Sequence, residues 1–405
     1  MLKPTNSASA ANAPCIVFYV QYLLGIGHVQ RSSLIVRALC NLGANVHVIF
    51  GGMPLPSMSF GSARVHQLTA VKSADTGFSQ LVKADGSEFT ANDKAQRSAQ
   101  LLALCEQLKP ALIVTETYPF GRRQMRFELQ PLLQWVKAQV QQPILVASVR
   151  DILQRRSPKR EQECIEIVDN YYQHVLVHGD QAFYPLEQSF APATQISDKL
   201  SYSGYVCPEL KHTAQQPQQL DPSRANNKIV VSIGGGSVGK EILSAALALY
   251  HSGFAANLQW LLITGPNMAA ADKAFFKQQQ QPNLEVRELA NDFLTELSNA
   301  YVSVSMAGYN TVMDLLLTKV AAVVIPFEGE GETEQMARSE VLSAANVLIV
   351  IRQSELHAQS LKEAIIAATT QHSSVITIDN RGAQNSAQLL MDWAHKRNPS
   401  EEQDV

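Results

Sequence analysis

A glycine-rich turn, SIGGGSVGKE at residues 232–241, separates an apolar run from an amphipathic one. Such a turn between a strand and a helix commonly holds a phosphate group. Gly234, Gly236 and Gly239 satisfy the dinucleotide pattern G-x-G-x-x-G, but the region about 20 residues further on lacks the carboxylate that holds a ribose. The P-loop pattern G-x-x-x-x-G-K is also present, but Glu241 stands where a P-loop has the Ser or Thr that binds magnesium. The turn therefore predicts either a phosphate-binding loop of another kind or a plain strand-to-helix turn.

A histidine follows two glycines in the stretch GIGHVQR. Gly25 and Gly27 allow the backbone to approach a ligand closely, and an unperturbed histidine changes charge near neutral pH. His28 is therefore either a candidate general base or a residue that caps the following helix. Gln30 replaces the third glycine of the dinucleotide pattern, which disfavours a dinucleotide here as well. Arg31 lies about one helical turn after His28.

The turn GYNT, residues 308–311, follows an apolar run and opens a helical pattern. The free backbone amides and the positive dipole end of a helix start suit a diphosphate. Asp314 lies about one turn into that helix, where its carboxylate is suited to accept hydrogen bonds from ribose hydroxyls. After the next apolar run come Glu334 and Gln335, whose side chains are suited to bind sugar hydroxyls.

Charged residues cluster in two further places, and each cluster has two interpretations. The acidic run FEGEGETE is either a solvated loop in which only Glu334 is engaged, or the rim of a cleft that selects a cationic substrate. The basic clusters are either solvated helix faces or a platform for a phosphate-bearing or lipid-linked acceptor at an anionic membrane. The acidic run contains Glu328, Glu330, Glu332 and Glu334, and the basic clusters contain Arg122, Arg123, Arg126, Arg150, Arg155, Arg156, Lys159 and Arg160.

The composition is that of a globular protein with two domains. A chain of 405 residues is too long for one ordinary core. The formal net charge of −3 argues against a nucleic-acid partner held by bulk electrostatics. The 5 cysteines are scattered and form no C-x-x-C pair, which favours a reducing cytoplasm over a disulfide framework or a zinc site. The first residues are polar and lack the apolar core of a signal peptide, so we expect a disordered lead-in.

Short apolar runs rich in β-branched residues alternate with amphipathic stretches such as RSSLIVRALCNLG in both halves of the chain. This pattern predicts two consecutive Rossmann-like α/β domains, with a ligand at the carboxyl ends of the strands. The predicted strands are CIVFYV, ANVHVIF, ALIVTE, PILVASV, HVLVHG, KIVVSI, LQWLLITG, LEVREL, YVSVSM, AAVVIP and NVLIVI. The predicted divisions are a lead-in at 1–13, a first domain at 14–206, a linker at 207–227, a second domain at 228–384, a helix at 385–397 that packs back on the first domain, and a tail at 398–405.

In these motifs the chain resembles the GT-B glycosyltransferases of family 28, which include the bacterial transferase that adds N-acetylglucosamine to lipid I. It is more closely similar to the predicted bacterial glycosyltransferases that carry a G-x-G-H-x-x-R start and a GYNT-x-x-[DE] motif. The similarity runs from GIGHVQR through SIGGGSVG to GYNTVMD and the EQ pair, so it spans both predicted domains. It implies a GT-B fold, in which two Rossmann-like domains face each other across a cleft.

The resemblance implies a role for each matching residue. His28 corresponds to a loop histidine that is a candidate base on the acceptor side, and Glu116, at the end of ALIVTE, is suited to assist it. The implied donor-binding residues are Gly235, Gly236 and Ser237 near the phosphates, Gly308, Asn310 and Thr311 at the helix start, Asp314 at the ribose, Glu334 and Gln335 at the sugar, and Leu289 in the wall around the uracil ring. The acceptor-side residues are Gly25, Gly27, Arg31, Arg122 and Arg150.

The implied reaction transfers a hexose or N-acetylhexosamine from a UDP-sugar to an unknown acceptor, by direct displacement with inversion. The start of the GYNT helix would stabilise the departing diphosphate. The chain contains no D-x-D motif, so we expect no metal and no cofactor besides the donor substrate. We expect a cytoplasmic protein that contacts an anionic membrane peripherally. The alternatives are a UDP-sugar hydrolase and a non-catalytic nucleotide-sugar-binding subunit, and both incomplete dinucleotide patterns disfavour a dehydrogenase.

Overall fold

The computed structural model divides the chain into two α/β units. One unit contains the chain up to Val206 together with the segment from Asp379, and the other runs from Cys207 to Ile378. The structure describes residues 13–23, 27–56, 58–74, 80–208, 227–236, 238–290, 292–329, 332–370 and 379–397. Nearly all of the predicted lead-in and linker, and the whole predicted tail, therefore lie outside the described residues.

The first unit is built on a parallel sheet of 7 strands. Its strands are β1 (Cys15–Val20), β2 (Asn45–Phe50), β3 (Arg64–Gln67), β6 (Leu112–Glu116), β7 (Ile144–Arg150), β8 (His174–His178) and β9 (Leu200–Tyr202), while β4 (Val71–Ser73) and β5 (Leu81–Lys83) form a separate antiparallel pair. The strand order is β3-β2-β1-β6-β7-β8-β9. The helices are α1 (Gly27–Asn41), α2 (Ala91–Leu108), α3 (Arg126–Ala138), α4 (Pro158–Tyr171) and α11 (Gly382–Arg397), with short 3₁₀ turns at Arg123–Met125, Leu186–Gln188 and Ala191–Lys199.

The central strand β1 separates two apolar cores of the first unit, because its side chains point alternately to opposite faces of the sheet. Val17 and Tyr19 pack with helices α2 to α4. Ile16, Phe18 and Val20 pack with α1 and α11 on the other face. Burial on both faces explains why the strand is apolar at every position rather than at alternate ones.

The C-terminal helix α11 belongs to the first unit. The Trp393 ring of α11 stacks on the His174 ring at the start of β8, with ring centroids 3.9 Å apart. The Tyr205 N–H donates to the carbonyl oxygen of Asp379 at 2.7 Å, just before the helix. The structure thus places the division between the units at residue 378 rather than 384, and the helix begins at Gly382 rather than 385.

The second unit is built on a parallel sheet of 6 strands. Its strands are β10 (Lys228–Ser232), β11 (Gln259–Ile263), β12 (Leu284–Arg287), β13 (Ala300–Met306), β14 (Ala322–Ile325) and β15 (Ile349–Val350), in the order β12-β11-β10-β13-β14-β15. The helices are α5 (Lys240–His251), α6 (Ala270–Gln278), α7 (Phe293–Ser298), α8 (Tyr309–Thr318), α9 (Glu334–Ala344) and α10 (Ala358–Thr370), with a 3₁₀ turn at Gln353–Glu355. Helices α5 and α10 contribute to its apolar core.

Each sheet has one point at which the strand order reverses. In the first unit this point lies between β1 and β6, and in the second it lies between β10 and β13. The loops that leave two such strands at their carboxyl ends diverge to opposite faces of the sheet, which opens a crevice for a ligand. The fold therefore predicts that ligands bind at the segments that follow these four strands.

The predicted fold class and strands are confirmed. The strands β3, β9 and the β4–β5 pair were not predicted, because they are short and contain polar residues. Helix α1 begins at Gly27, so His28 lies in its first turn rather than before a helix that starts at Arg31. Among the described residues, no helix is both long and apolar enough to cross a bilayer.

Candidate active site

The side chains of His28 and Glu116 meet at the reversal point of the first unit. His28 follows β1 in the first turn of α1, and Glu116 is the last residue of β6, the strand beside β1. The Nδ1 atom of His28 lies 2.7 Å from Oε1 of Glu116. The side chain of Glu116 is fully buried, whereas that of His28 is 18% exposed. The predicted base and its predicted helper therefore form a hydrogen-bonded pair with the histidine on the outer side.

The hydrogen bond to Glu116 assigns the tautomer of His28. An ionised carboxylate only accepts hydrogen bonds, so the Nδ1 atom must carry the proton. The Nε2 atom then holds a free lone pair, and it has no hydrogen-bond partner among the described residues. Burial, together with the charges of Arg122 and Arg150, lowers the pKa of His28 to about 3, although Glu116 opposes that shift. The ring is thus neutral at physiological pH, and the carboxylate is in place to stabilise the charge that a captured proton would bring.

The carboxylate of Glu116 is held by further donors. The Arg31 Nη2 group donates to Oε1 at 2.5 Å, and the Thr117 hydroxyl donates to the same oxygen at 2.6 Å. Burial of Glu116 raises its pKa, but His28, Arg31 and Arg122 outweigh burial and hold the pKa well below its ordinary value. The Oε2 atom is buried without a hydrogen-bond partner in the described part of the chain, and Arg122 Nη2 lies 4.0 Å from it.

The pair lies in a cationic environment. Arg122 follows β6 and Arg150 ends β7, and both charges act on His28 and on each other. Together with Arg31 they place three positive charges around the pair of His28 and Glu116. The predicted acceptor-side arginines are therefore brought together, but the Arg31 side chain is only 2% exposed and bonds to Glu116. Gly27 begins α1, and Gly25 lies outside the described residues.

The glycine-rich turn of the second unit follows β10, at the reversal point of that sheet. Gly236 has a φ of +83°, and a Cβ there would lie 2.3 Å from the carbonyl oxygen of Thr264. Position 236 therefore requires glycine because the turn after β11 lies against it, whether or not the glycine-rich turn binds a ligand. Gly235 is exposed and its carbonyl oxygen accepts from the Asn267 N–H at 2.8 Å. Ser237 lies outside the described residues.

Lys240 follows this turn at the start of α5 and bonds to Asp272 at 2.6 Å. Its side chain is 53% exposed. The lysine of the P-loop-like pattern thus pairs with Asp272 of the neighbouring helix α6.

The polar turn after β13 opens α8. Gly308 is the N-cap residue and has no side chain that could cap the backbone N–H groups of the first turn. Tyr309, Val312 and Met313 form the buried face of α8, whereas Asn310, Thr311 and Asp314 are only half-buried. Residues spaced by three and four positions share one face of a helix. The predicted diphosphate and ribose residues therefore form one partly accessible polar face.

The carboxylate of Asp314 is partly buried and has a raised pKa. No hydrogen bond or ion pair engages its carboxylate in the described part of the chain, and burial raises its pKa to about 7. A carboxylate in this state is costly to keep ionised unless a ligand supplies donors. Leu289, the predicted wall of the uracil site, follows β12 and is 59% exposed.

The predicted sugar-reading residues are engaged inside the second unit. Glu334 begins α9 and its Oε1 accepts from the Nη2 group of Arg338 at 3.0 Å. The Gln335 side chain accepts from the Phe327 N–H at 3.1 Å and so holds the loop after β14. Arg338 is fully buried, and its guanidinium lies over the Tyr309 ring of α8 at 5.0 Å from the centroid. Arg338 thus ties the start of α9 to the start of α8.

The acidic run after β14 has partners rather than a free negative rim. Glu328 pairs with Arg352 at 3.5 Å. The Oε1 atom of Glu332 accepts from the N–H groups of Glu334 and Gln335 at 2.8 and 3.2 Å, and so caps the first turn of α9. Glu330 lies outside the described residues. These contacts indicate that the acidic run stabilises the start of α9, and they give no support to the predicted selection of a cationic substrate.

The basic clusters of the first unit divide into two groups. Arg123 and Arg126 both pair with Glu163 of α4. The second group lies in the segment after β7 and at the start of α4, is exposed, and makes no ion pair within the described residues. This basic segment comprises Arg155, Arg156, Lys159 and Arg160.

Three residues of the site were missed by sequence reasoning. Thr117 carries no motif that indicates its contact with Glu116. Arg338 lies four residues after Glu334 on α9, and this i,i+4 spacing of opposite charges was an available signal. Tyr309 stands inside the GYNT turn, but nothing in the sequence shows that its ring meets Arg338. Among the described residues, no group of three or more His, Cys, Asp or Glu side chains is arranged to hold a metal ion.

A known family matches most of the second unit and the greater part of helix α11. Residues 230–392 match the glycosyltransferase family 28 C-terminal domain. This segment includes the glycine-rich turn, the polar face of α8 and the start of α9. The resemblance to family 28 glycosyltransferases is thereby confirmed.

Known relatives match part of the chain. The enzyme named UDP-N-acetylglucosamine--N-acetylmuramyl-(pentapeptide) pyrophosphoryl-undecaprenol N-acetylglucosamine transferase from Thermosipho melanesiensis is 28% identical over 158 residues, which are 38% of this chain and 43% of the relative. The enzyme of the same name from Synechocystis sp. is 26% identical over 166 residues, which are 40% of this chain and 44% of the relative. The matched segments thus span less than half the length of these relatives.

Solved structures match nearly the whole chain in fold. The MurG structure of Acinetobacter baumannii aligns with a TM-score of 0.54 at 14% identity, covering 95% of this chain and 100% of that chain. The calicheamicin glycosyltransferase CalG4 aligns with a TM-score of 0.59 at 14% identity, covering 95% of each chain. The chain therefore has the GT-B fold that was predicted.

Replacement of Asp314 by Asn is expected to stabilise the protein in a pH-dependent manner. The folded-state pKa of about 7 lies above the ordinary aspartate pKa of 3.8, so the folded state of the wild type loses stability as pH rises between these values. Asp314→Asn removes this loss and should raise the free energy of unfolding at pH 8 by on the order of 2–4 kcal/mol. Urea unfolding at pH 8, 6 and 4 should show a gain that shrinks toward pH 4. A gain that is equal at all three pH values would contradict the raised pKa.

Proposed function

We propose that the protein is a glycosyltransferase that moves a hexose or N-acetylhexosamine from a UDP-sugar to an acceptor hydroxyl, with inversion at the anomeric carbon. The observation that carries this proposal is the pair of His28 and Glu116 at 2.7 Å, with Nε2 of His28 free to accept a proton. A neutral imidazole oriented by a buried carboxylate is the arrangement that general-base chemistry on a hydroxyl requires. The family 28 match, which covers most of the second unit, supports a donor site there.

The donor is proposed to bind along the partly accessible face of α8. The backbone N–H groups at the start of α8 would hold the diphosphate, and Thr311 would add its hydroxyl. Asp314 would accept from the ribose hydroxyls, which would offset the cost of keeping its carboxylate ionised. Leu289 would cover the uracil ring with its exposed side chain. The relatives' names specify UDP-N-acetylglucosamine as their donor, which supports a UDP-sugar here.

Glu334 and Gln335 are proposed to meet the sugar at the start of α9. The Oε1 atom of Glu334 accepts from Arg338, and the side-chain oxygen of Gln335 accepts from the Phe327 N–H. A carboxylate accepts at both oxygens and an amide donates through nitrogen, so the two residues would offer one acceptor and one donor to sugar hydroxyls. Arg338 would hold the Glu334 carboxylate in position through its hydrogen bond.

The reaction needs stabilisation of the departing UDP, and the start of α8 is proposed to provide it. Backbone donors that already point at the diphosphate cost no reorganisation as negative charge develops. In this proposal the acceptor proton moves to His28 Nε2, the acceptor oxygen bonds to the anomeric carbon, and the bond from that carbon to the diphosphate oxygen breaks. No metal ion is needed for these steps.

The acceptor is proposed to carry a phosphate group and to be linked to a lipid. Arg122 and Arg150 place positive charge beside His28, which suits an anionic acceptor. The exposed basic segment from Arg155 to Arg160 starts a few residues after Arg150 and would approach an anionic membrane on the cytoplasmic side. The relatives' names specify a pyrophosphoryl-undecaprenol acceptor, which supports this chemical class.

Binding of UDP is expected to raise the melting temperature of the protein more than ATP or NAD does. A ligand that binds only the folded state stabilises it by mass action, and the second unit lacks the hydroxyl of a P-loop and the carboxylate of a dinucleotide site. Asp314→Asn should keep the fold and reduce the UDP-induced shift, because a hydrogen bond to a charged group is worth about 1.5–3 kcal/mol. Stabilisation by ATP or NAD without stabilisation by UDP would overturn the donor assignment.

His28→Asn is expected to lower turnover by about 10²–10⁴-fold and to leave the UDP-induced thermal shift intact. Asparagine can form a hydrogen bond with Glu116 but cannot take a proton. The assay measures glycoside formation from UDP-sugar with a phospholipid-linked acceptor, with and without EDTA, and UDP release without acceptor. Near-wild-type turnover in His28→Asn would remove the base from the mechanism. UDP release that needs no acceptor would identify a hydrolase instead, and sensitivity to EDTA would contradict metal independence.

Neutralisation of the exposed basic segment is expected to weaken binding to anionic vesicles. Each basic residue near an anionic surface contributes about 1 kcal/mol, so a triple Ser replacement of Arg155, Arg156 and Arg160 should lower partitioning by about 100-fold. The matched control replaces Arg37, Lys137 and Arg381, which are also exposed, and changes the net charge equally. Sedimentation with phosphatidylglycerol vesicles measures the effect at low salt. Equal losses in both variants would show that net charge, rather than this surface, governs binding.

A further inference from the structure

Thr117 adopts a backbone conformation that its side chain disfavours. Its φ is +67°, in the left-handed region. Residues branched at Cβ rarely occupy this region, because the side chain crowds the backbone, and strain of this kind concentrates at functional sites. Thr117 directly follows Glu116, so the strained residue is next to the carboxylate that orients His28.

The surrounding structure forces this conformation. The Thr117 N–H donates to the carbonyl oxygen of Ser148 on β7 at 2.8 Å, and the Thr117 carbonyl oxygen accepts from the Gly121 N–H at 2.9 Å. A Cβ at Gly121 would lie 2.7 Å from the Thr117 Cγ2 atom, so the turn closes only over a glycine. The Thr115 hydroxyl donates to the Tyr118 carbonyl oxygen at 2.9 Å and holds the turn from the other side.

The strained conformation aims the Thr117 hydroxyl at the paired side chains. Its Oγ1 atom donates to Glu116 Oε1 at 2.6 Å and lies 3.4 Å from His28 Nδ1. The same carboxylate oxygen accepts the bond from His28. The other oxygen, Oε2, faces the Arg122 Nη2 group at 4.0 Å. The carboxylate therefore has a second cation toward which it can turn, away from His28.

We propose that Thr117 is a positioning residue for the general base. Its hydroxyl holds the Glu116 carboxylate so that Oε1 faces the imidazole, and this fixes both the tautomer and the orientation of His28. The strained φ is the means by which the hydroxyl reaches the carboxylate from the adjacent position in the chain. This inference rests on the proposed function, in which His28 accepts the acceptor proton.

A purely structural role for Thr117 makes different predictions. Such a role would change the stability of the turn when the hydroxyl is lost, but it would leave the His28 hydrogen bond and the turnover number unchanged. A positioning role changes the His28 hydrogen bond and the turnover number, while the affinity for the donor stays the same because residues of the second unit hold the donor.

The test replaces Thr117 by Val, which has the same shape and branching and lacks the hydroxyl. Thr117→Val should lower kcat by about 10- to 100-fold, the equivalent of one hydrogen bond to a charged group, and leave KM for the UDP-sugar unchanged. The Nδ1–H proton resonance of His28 should move upfield as the bond to Glu116 weakens. Thr117→Ser restores the hydroxyl and should recover both kcat and the resonance.

Thr115→Val is the matched control. It removes a buried hydroxyl from the same turn, and that hydroxyl contacts Tyr118 and Tyr172 but neither His28 nor Glu116. It should lower the melting temperature and leave the His28 resonance in place. If Thr117→Val fails to fold, Thr117→Ala removes the hydroxyl without branching at Cβ and is judged by the same two measurements.

The possible results separate this inference from the proposed function. Wild-type kcat and an unmoved resonance in Thr117→Val would overturn the positioning role, and so would equal impairment in Thr117→Ser. If the wild-type protein transfers no sugar from any UDP-sugar, the proposed function fails. The resonance of His28 still decides in that case whether Thr117 orients the pair.

Discussion

The buried carboxylate of Glu116 is the group on which the rest of the candidate active site depends. An unpaired charge in a protein interior costs several kcal/mol, so a buried carboxylate persists only where donors surround it. His28, Arg31 and Thr117 supply those donors, and all three contact the same oxygen. The first turn of α1 is therefore tied to the end of β6 by one atom. The charge also opposes the lowering of the His28 pKa by burial.

The two units share a sheet topology with one strand reversal, but different chemical groups lie at the reversal point of each. In the first unit, the strand reversal between β1 and β6 holds buried charged side chains that contact one another. In the second unit, the reversal between β10 and β13 presents backbone donors and a half-buried polar helix face. Proton transfer requires groups that are fixed before the reaction begins, whereas binding of a nucleotide-sugar requires groups that a ligand can still reach. Each unit has the features that its proposed half of the reaction needs.

The fold and the position of the site could be predicted from the sequence because both follow from local patterns. Runs such as CIVFYV are apolar at every position, which indicates a strand buried on both faces. Glu116 ends such a run and His28 opens the helix that follows another, and parallel strands bring their carboxyl ends to one edge. The contacts that refine the site could not be predicted. The φ of Thr117 results from a turn closed over Gly121, and Gly236 is a glycine because the turn at Thr264 approaches it. Both causes are tertiary and leave no periodic signal. The bond between Glu334 and Arg338 had a signal in its spacing, but sequence reasoning assigned Glu334 to the sugar alone.

The tautomer of His28 is the most direct measure of the central claim, that a buried carboxylate prepares the imidazole as a base. Long-range ¹H–¹⁵N correlation spectra of the free protein at pH 7 distinguish a protonated Nδ1 from a protonated Nε2 and from the imidazolium ion. The structure predicts a neutral ring with the proton on Nδ1, shared with Glu116, and an unprotonated Nε2. A proton on Nε2, or an imidazolium ring at this pH, would leave His28 without a lone pair for the acceptor and would contradict the account.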